Sequence, residues 1–345
     1  MITRSRTKTL CVMKDISNQN RTAPEKQQRG ADGAKEVDTP QQGGRYDQRS
    51  RDDAAKASST DVRSPPCYVS DTSDNADEGR IDDPTFDADY ANEIHEYLRS
   101  RESSTSVSPL YMTNHGHINE QMRQILVNFI IEVHYRFGLV PGTLYLTVNI
   151  LDRYLSSEAA RRVTQANLQL VGIVALLISS KFEEVWPISL TDCVCICENA
   201  SHDERDVVDM ETSILGALNY RINVPCAHAF LVRYLRAVDA TADVVNLSHY
   251  VLDGTLQSYY LLNFLPSQLA AAAVYISRKT VGEDDAWCPT LVRYARYREE
   301  DVLPVARAVI AMKTYCSVGL FAVNRKYGRG GCGGGASNVE LCSDF

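Results

Sequence analysis

The sequence lacks the marks of several large classes of protein. No apolar run approaches the roughly 18 residues of a membrane span, and the opening residues, MITRSRTKTL, lack the apolar stretch of a secretory signal. Basic residues are outnumbered by acidic ones, 36 to 44, so the net charge is −8. A negative chain is poorly suited to bind nucleic-acid phosphates. We therefore expect neither a membrane protein nor a nucleic-acid binder, and we expect the ten cysteines to be free thiols.

The two ends of the chain have little that could build a core. Leucine is absent between Leu10 and Leu98, where Asp, Ser, Gln, Gly and Arg prevail. Such a composition buries too little apolar surface to offset chain entropy, so residues 1–87 are predicted to form a disordered regulatory tail. Residues 322–345, which contain the run GRGGCGGGAS, are predicted to form a flexible Gly-rich tail. A GxGxxG pattern in that run has no strand before it and no helix after it, which argues against nucleotide binding.

Between these ends, apolar residues recur at helical spacing almost throughout. A short helix is predicted near residues 88–101. Five helices follow over 119–218 and five more over 226–315, with proline or glycine between many of them. We predict an all-α protein with two tandem five-helix domains, the first with its preceding helix over 88–224 and the second over 225–321.

The segment MRQILVNFIIEVH, residues 122–134, has an apolar arc too wide for an ordinary surface helix. Either other helices of the same domain cover all of the arc, or part of it is exposed for a partner. Arg123 lies within the arc, and a buried guanidinium needs an acidic partner. Asp152, beside the apolar stripe of the next helix, is the best candidate, and the pair is interpreted as a strut between helices.

Lys181 ends the segment LQLVGIVALLISSKFEE, which is apolar on every side and predicts a central helix. A lysine in the last turn either caps the helix carbonyls or presents its ammonium to a partner at the rim. The run Cys193-Val-Cys195-Ile-Cys197 is the one cluster that resembles a metal site. On a helix, Cys195 would face away from the other two, which argues against convergent zinc ligands. We expect no metal and no cofactor.

Several motifs resemble the cyclin box of A/B-type (mitotic) cyclins over about residues 88–320. MRQILVNFIIEVH is similar to the family's MRAILVDWLVEVH, and TLYLTVNILDRYLS (143–156) resembles its second-helix signature. The segments LQLVGIVALLISSKFEE and DMETSILGALNYRINVP resemble its third and fifth helices. FLPSQLAAAAVYIS and AVNRKY resemble the family's C-terminal cyclin fold.

The resemblance implies roles for individual residues. The family's five signature box positions match Arg123, Asp152, Leu170, Lys181 and Glu211, of which the Arg–Asp pair and Leu170 are structural. Contacts to the kinase partner match Lys181, Glu211, Phe182, Ile178, Leu215, Ile222, Ile94 and Tyr97. The family's substrate-docking patch, which receives Arg-x-Leu peptides, matches Met122, Ile125, Leu126, Phe129, Glu132 and Gln169. Two patch positions depart from the family: Phe129 replaces a tryptophan and Asn128 an aspartate.

The resemblance thus implies a regulatory subunit of a cyclin-dependent protein kinase, present in nucleus and cytoplasm and acting in G2/M control. The chain itself would not be an enzyme, and it carries no HExxH, GxSxG, Walker or kinase motif. A transcriptional-type cyclin is the alternative. A general transcription factor with two cyclin folds is a further one, but it would need a basic face and a zinc ribbon that the sequence does not provide.

Overall fold

The structure is a computed structural model that describes residues 90–197, 202–316, 321–328, 331 and 334–343. The predicted tail over residues 1–87 lies outside these ranges. Within them, the regular elements are α-helices and short 3₁₀ turns, with no strand. The prediction of an all-α protein is confirmed.

A leading helix is followed by two groups of five and a short closing helix. The leading helix is α1 (Ala91–Thr105). The first group comprises α2 (Glu120–Phe137), α3 (Pro141–Leu155), α4 (Gln165–Glu183), α5 (Leu190–Ile196) and α6 (Glu204–Ala217). The second comprises α7 (Ala227–Ala237), α8 (Ala242–Thr255), α9 (Pro266–Val281), α10 (Pro289–Ala295) and α11 (Glu299–Cys316). The closing helix is α12 (Ala322–Lys326).

Local sequence signals set many of the helix ends. Asn119 begins α2, because its side chain accepts a hydrogen bond from the backbone of Met122. Gly138 ends the same helix with φ 63°, a left-handed conformation that glycine adopts at little cost. Pro141 then opens α3 at a position where its missing N–H is not needed.

The second helix of the second fold is shorter than predicted. The apolar pattern predicts one helix over 242–263, but α8 ends at Thr255 and a 3₁₀ turn covers Tyr260–Asn263. The carbonyl of Leu256 accepts a hydrogen bond from Arg123 of α2 at 3.2 Å. A tertiary contact thus uses a backbone group that a longer helix would use for itself.

Helix α4 is the centre of the first fold, as its all-round apolar character predicts. Every residue over 170–180 is buried, and α4 packs against α2, α3, α5 and α6. Among the described residues it is the one helix long and apolar enough to cross a membrane. However, 67% of its most apolar window is buried inside the fold, which is typical of a core helix. Gly172 lets α2 approach closely, since a Cβ there would lie 2.7 Å from Leu126 Cδ1.

The prediction of a flexible tail from residue 322 is wrong for its first part. Residues 322–326 form α12, which packs against α2 and α8 and buries Val323 and Lys326. Further on, Ala336 is buried in a 3₁₀ turn, and the backbone N–H of Cys342 donates to Thr280 Oγ1 at 3.0 Å. The glycine-rich composition predicted flexibility, but the described residues on either side of the glycine-rich run make tertiary contacts.

Candidate functional site

Arg123 and Asp152 form a fully buried strut between α2 and α3. Arg123 Nε lies 2.6 Å from Asp152 Oδ1 and Arg123 Nη2 lies 2.7 Å from Oδ2, the paired geometry of a strong ion pair. Tyr111 donates a third hydrogen bond to Asp152 at 2.8 Å. Although burial alone would lower it, the neighbouring carboxylate holds the pKa of Arg123 above its usual value. The pair sits away from solvent, and Leu170 is buried in α4.

Lys181 and Glu211 meet at the surface of the first fold. Lys181 lies in the last turn of α4 and Glu211 lies on α6. The ammonium donates to both carboxylate oxygens, at 2.6 Å and 2.8 Å. Their side chains are 45% and 15% exposed, so the pair is neither sealed in the core nor detached from it. The two residues that the sequence singled out therefore form one polar feature on the surface.

The apolar residues predicted to surround this pair differ in exposure. Phe182, which follows Lys181, is exposed, and Leu215 and Ile222 are half-buried. Ile178 is only 3% exposed because it points into the core of the first fold. It therefore supports the surface from beneath, which corrects its prediction as a surface contact.

Ile94 and Tyr97 are exposed on α1, but that helix is anchored on the second fold. Arg99 donates to the Tyr234 hydroxyl at 3.0 Å and to the carbonyl of Ala295 at 2.8 Å. These two predicted contacts therefore lie on a helix attached to the second fold, whereas Lys181 and Glu211 lie on helices of the first.

Two exposed residues escaped the sequence prediction. Val185 and Trp186 follow α4 directly and are 85% and 81% exposed. With the exposed Phe182 nearby in the chain, they form a short run of exposed apolar side chains at the end of α4, and such contiguous apolar surface is typical of an interaction site. The signal was available in the sequence, where Val-Trp follows the acidic pair Glu183-Glu184, outside any apolar helical pattern.

The predicted docking patch is a stripe along α2. We call Met122, Ile125, Phe129 and Glu132 the docking stripe, because their spacing places them on one side of the helix. Ile125 is exposed, and Met122 and Phe129 are half-buried. The wide apolar arc is thus covered only in part by its own domain. Leu126, predicted to belong to the patch, is instead buried against Gly172.

The polar neighbours of the docking stripe are already engaged. Gln169 Nε2 lies 3.4 Å from the carbonyl of Ile196. Asn128 Oδ1 accepts from Gln257 Nε2 at 3.0 Å and from the backbone N–H of Ala322 at 3.1 Å. Asn128 therefore fastens the start of α12 to α2.

Glu132, at the far end of the docking stripe, is paired with two arginines. Arg136 Nε lies 2.7 Å and Arg325 Nη1 lies 2.9 Å from Glu132 Oε1. The Glu132 side chain is 9% exposed, whereas that of Arg325 is 52% exposed. No sequence pattern predicts the contact with Arg325, because this residue lies in a segment predicted to be flexible.

The cysteine cluster has the chemistry of ordinary buried thiols. Cys193 and Cys197 are buried and Cys195 is partly exposed, and all three are unpaired thiols. Burial raises the pKa of Cys193 to about 12 and that of Cys197 to about 11. These two thiols are therefore protonated at neutral pH in the metal-free chain. Among the described residues, no group of three or more His, Cys, Asp and Glu side chains could hold a metal.

Comparisons with known families and proteins agree with this arrangement. The family model "Cyclin, N-terminal domain" matches residues 93–223, and "Cyclin, C-terminal domain" matches residues 225–336. Of the solved structures, a viral cyclin from herpesvirus saimiri superposes with a TM-score of 0.56 at 19% identity. That match covers 66% of this chain and 97% of the viral protein, and it supports the fold.

Plant mitotic cyclins are among the similar curated proteins. G2/mitotic-specific cyclin-2 of Medicago sativa is 37% identical over 241 residues, which is 70% of this chain and 72% of that protein. Cyclin-B1-2 of Arabidopsis thaliana is 37% identical over 259 residues, and G2/mitotic-specific cyclin-1 of Antirrhinum majus is 37% identical over 240. The matched region covers 57% and 50% of the length of the last two relatives.

Proposed function

This chain belongs to the cyclin family, and from that premise we propose that it binds and activates a cyclin-dependent protein kinase in G2/M control. The names of its plant relatives support the mitotic assignment. The observation that carries the proposal is the Lys181–Glu211 pair, which lies at the surface beside the exposed Phe182.

Activation requires only that the chain bind the active form of a kinase better than the inactive form. Kinase activity depends on a Lys–Glu ion pair within the kinase and on the position of its regulatory helix. A shift from mostly inactive to mostly active needs a differential affinity of about 5 kcal/mol. A preformed surface can supply this, and the buried strut between Arg123 and Asp152 holds α2 and α3 of the first fold together.

The Lys181–Glu211 pair is suited to exchange partners. An ion pair between partly exposed side chains contributes only about 0–1 kcal/mol, so little is lost when its hydrogen bonds pass to another protein. Burial of exposed apolar side chains such as Phe182 would add about 1.5–3 kcal/mol for each side chain. The polar pair would then fix the position of the kinase on this surface, and the apolar residues would supply most of the affinity.

The proposal is tested with the double variant Lys181→Ala/Glu211→Ala. We expect a folded protein that no longer co-purifies with a cyclin-dependent kinase and no longer stimulates histone phosphorylation. The matched control is Arg161→Ala/Glu158→Ala, which removes another surface ion pair, with N–O distance 2.6 Å, and should leave activation unchanged. Full activation by the first double variant would refute the proposal, and identification of the co-purified kinase would separate a mitotic from a transcriptional cyclin.

We also propose that the docking stripe recruits substrates to the bound kinase. Its exposed Ile125 and half-buried Phe129 offer apolar surface that the chain itself does not cover. The variant Ile125→Asp should reduce phosphorylation of docking-dependent substrates and leave that of a short peptide substrate unchanged.

We further propose that the protein resides in both nucleus and cytoplasm. Imaging of a fluorescent fusion through the cell cycle tests this.

A further inference from the structure

Glu132, the acidic residue of the docking stripe, is already paired with arginines of the same chain. Glu132 Oε1 accepts a hydrogen bond from Arg136 Nε at 2.7 Å and forms an ion pair with Arg325 Nη1 at 2.9 Å. Two guanidinium groups on one carboxylate leave a local charge of about +1. An arginine from a docking peptide would meet this excess positive charge and would have to displace one of the two residents to reach Glu132.

Arg325 is held at this place by the rest of α12. The backbone N–H of Ala322 donates to Asn128, Val323 is buried, and Lys326 Nζ lies 2.7 Å from the buried Asp253 Oδ2. The backbone that carries Arg325 is thus fixed on both sides of it. Displacement of Arg325 by a ligand would have to exchange one ion pair for another at a crowded carboxylate, with no net gain of charge pairing.

The same guanidinium faces solvent beside the apolar part of the docking stripe. The Arg325 side chain is 52% exposed, and a guanidinium has five N–H donors, of which the contact with Glu132 uses Nη1. Its planar fork matches a carboxylate in particular. The feature that this end of the docking stripe offers to a ligand is therefore a positive charge.

We propose that Arg325 sets the ligand class of the docking stripe: a peptide with apolar side chains for Ile125 and Phe129 and a carboxylate, in place of an arginine, for Arg325. The inference rests on the proposed docking function and replaces the Arg-x-Leu preference that the family resemblance implied. The overall field of the chain works in the opposite direction, since its net charge of −8 attracts basic peptides. A preference for an acidic peptide could therefore not come from the net charge and would reflect the positive charge beside Glu132.

Two labelled peptides that differ at one position test this. Both carry a Leu-Phe pair, and the residue two positions before the leucine is either Glu or Arg. Fluorescence anisotropy with the full-length protein should show the Glu peptide bound at least about tenfold more tightly, a difference typical of one charge-assisted hydrogen bond. The variant Arg325→Gln should abolish or reverse this preference. Arg298→Gln, which removes an exposed arginine paired with Glu300 elsewhere, should preserve it.

The outcomes separate the inference from the function on which it rests. Tighter binding of the Arg peptide to the wild-type protein, or an unchanged preference in Arg325→Gln, overturns the inference and leaves docking intact. Failure of both peptides to bind the wild-type protein and Arg325→Gln overturns the docking function and the inference together. Circular dichroism and the melting temperature of Arg325→Gln establish that the variant still folds.

Discussion

Lys326 Nζ lies 2.7 Å from Asp253 Oδ2, and this buried ion pair joins α12 to α8. Tyr327 donates to the same oxygen at 2.8 Å, and Tyr145 of α3 donates to the other carboxylate oxygen. Burial alone would raise the pKa of Asp253, but Lys326 and the two tyrosine hydroxyls hold it below its usual value. One carboxylate thus connects the first fold, the second fold and the closing helix.

Removal of the lysine from this group should destabilise the protein strongly. Lys326→Met leaves a buried aspartate without its cation, and loss of one partner of a buried pair costs about 3 kcal/mol or more. Urea unfolding measures the change, and Arg161→Met, at an exposed position, should alter the free energy of unfolding by less than about 0.5 kcal/mol. Because Lys326 stabilises the protein by pairing with Asp253, the double variant Lys326→Met/Asp253→Asn should lose less free energy of unfolding than the two single variants together.

The Arg123–Asp152 and Lys181–Glu211 ion pairs should differ sharply in their contribution to stability. Arg123→Met leaves Asp152 buried and unpaired by a cation, so we expect a loss of about 3 kcal/mol or more. Lys181→Met breaks a partly exposed pair and should cost less than about 1 kcal/mol. Urea unfolding of the two variants gives the comparison, and equal losses would contradict a structural role for the first pair and a surface role for the second.

The sequence predicted the parts of the fold that local patterns control. Helical periodicity and breakers such as Gly138 and Pro141 defined the two groups of five helices. The Arg123–Asp152 contact was also predictable, because a guanidinium within an apolar arc needs a partner and the next helix offers one. The resemblance to cyclins added the Lys181–Glu211 pair, which composition alone does not indicate.

Contacts between distant parts of the chain could not be predicted in the same way. Arg325 and Lys326 lie next to a glycine-rich run, and their partners Glu132 and Asp253 are far away in sequence. No local periodicity records such pairings. The burial of Ile178 was also missed, since a helix that is apolar on every side gives no sign of which residues reach the surface.

Two glycines in helices should respond in opposite ways to replacement by alanine. A Cβ on Gly172 would lie 2.7 Å from Leu126 Cδ1 in a buried contact between α4 and α2, so Gly172→Ala should cost about 1–3 kcal/mol by overpacking. A Cβ on Gly216 meets nothing within 4 Å, so Gly216→Ala should stabilise α6 by up to about 1 kcal/mol through helix propensity. A lower melting temperature for both variants would show that Gly216 does not reduce the stability of α6.

Buried histidines should make the protein less stable in mild acid. Burial, together with the positive charge of Lys326, lowers the pKa of His134 to about 4, and burial with the neighbouring His249 does the same for His228. The His134 Nε2–H donates to the carbonyl of Val140. The buried Nδ1 has no hydrogen-bond partner among the described residues, so a proton added to it would have no acceptor.

The sign of the effect follows from linkage. The unfolded chain binds these protons near pH 6.5, and the folded protein binds them only near pH 4. Stability is therefore complete above about pH 6.5 and falls as the pH drops towards 4, by about 3 kcal/mol for each histidine. Unfolding by urea at a series of pH values from 7.5 to 4 measures this loss.

A matched pair of variants assigns the loss to the buried rings. His228 stacks between Tyr145 and His249, with ring centroids at 5.8 Å and 5.4 Å, so His228→Phe keeps an aromatic ring in the stack and removes the titrating group. The slope of the free energy of unfolding against pH between 6.5 and 4 should fall, because about one proton fewer is taken up on unfolding. The control His117→Asn changes an exposed histidine before α2 and should keep the wild-type slope. An unaltered slope in His228→Phe would mean that the acid sensitivity arises from other groups.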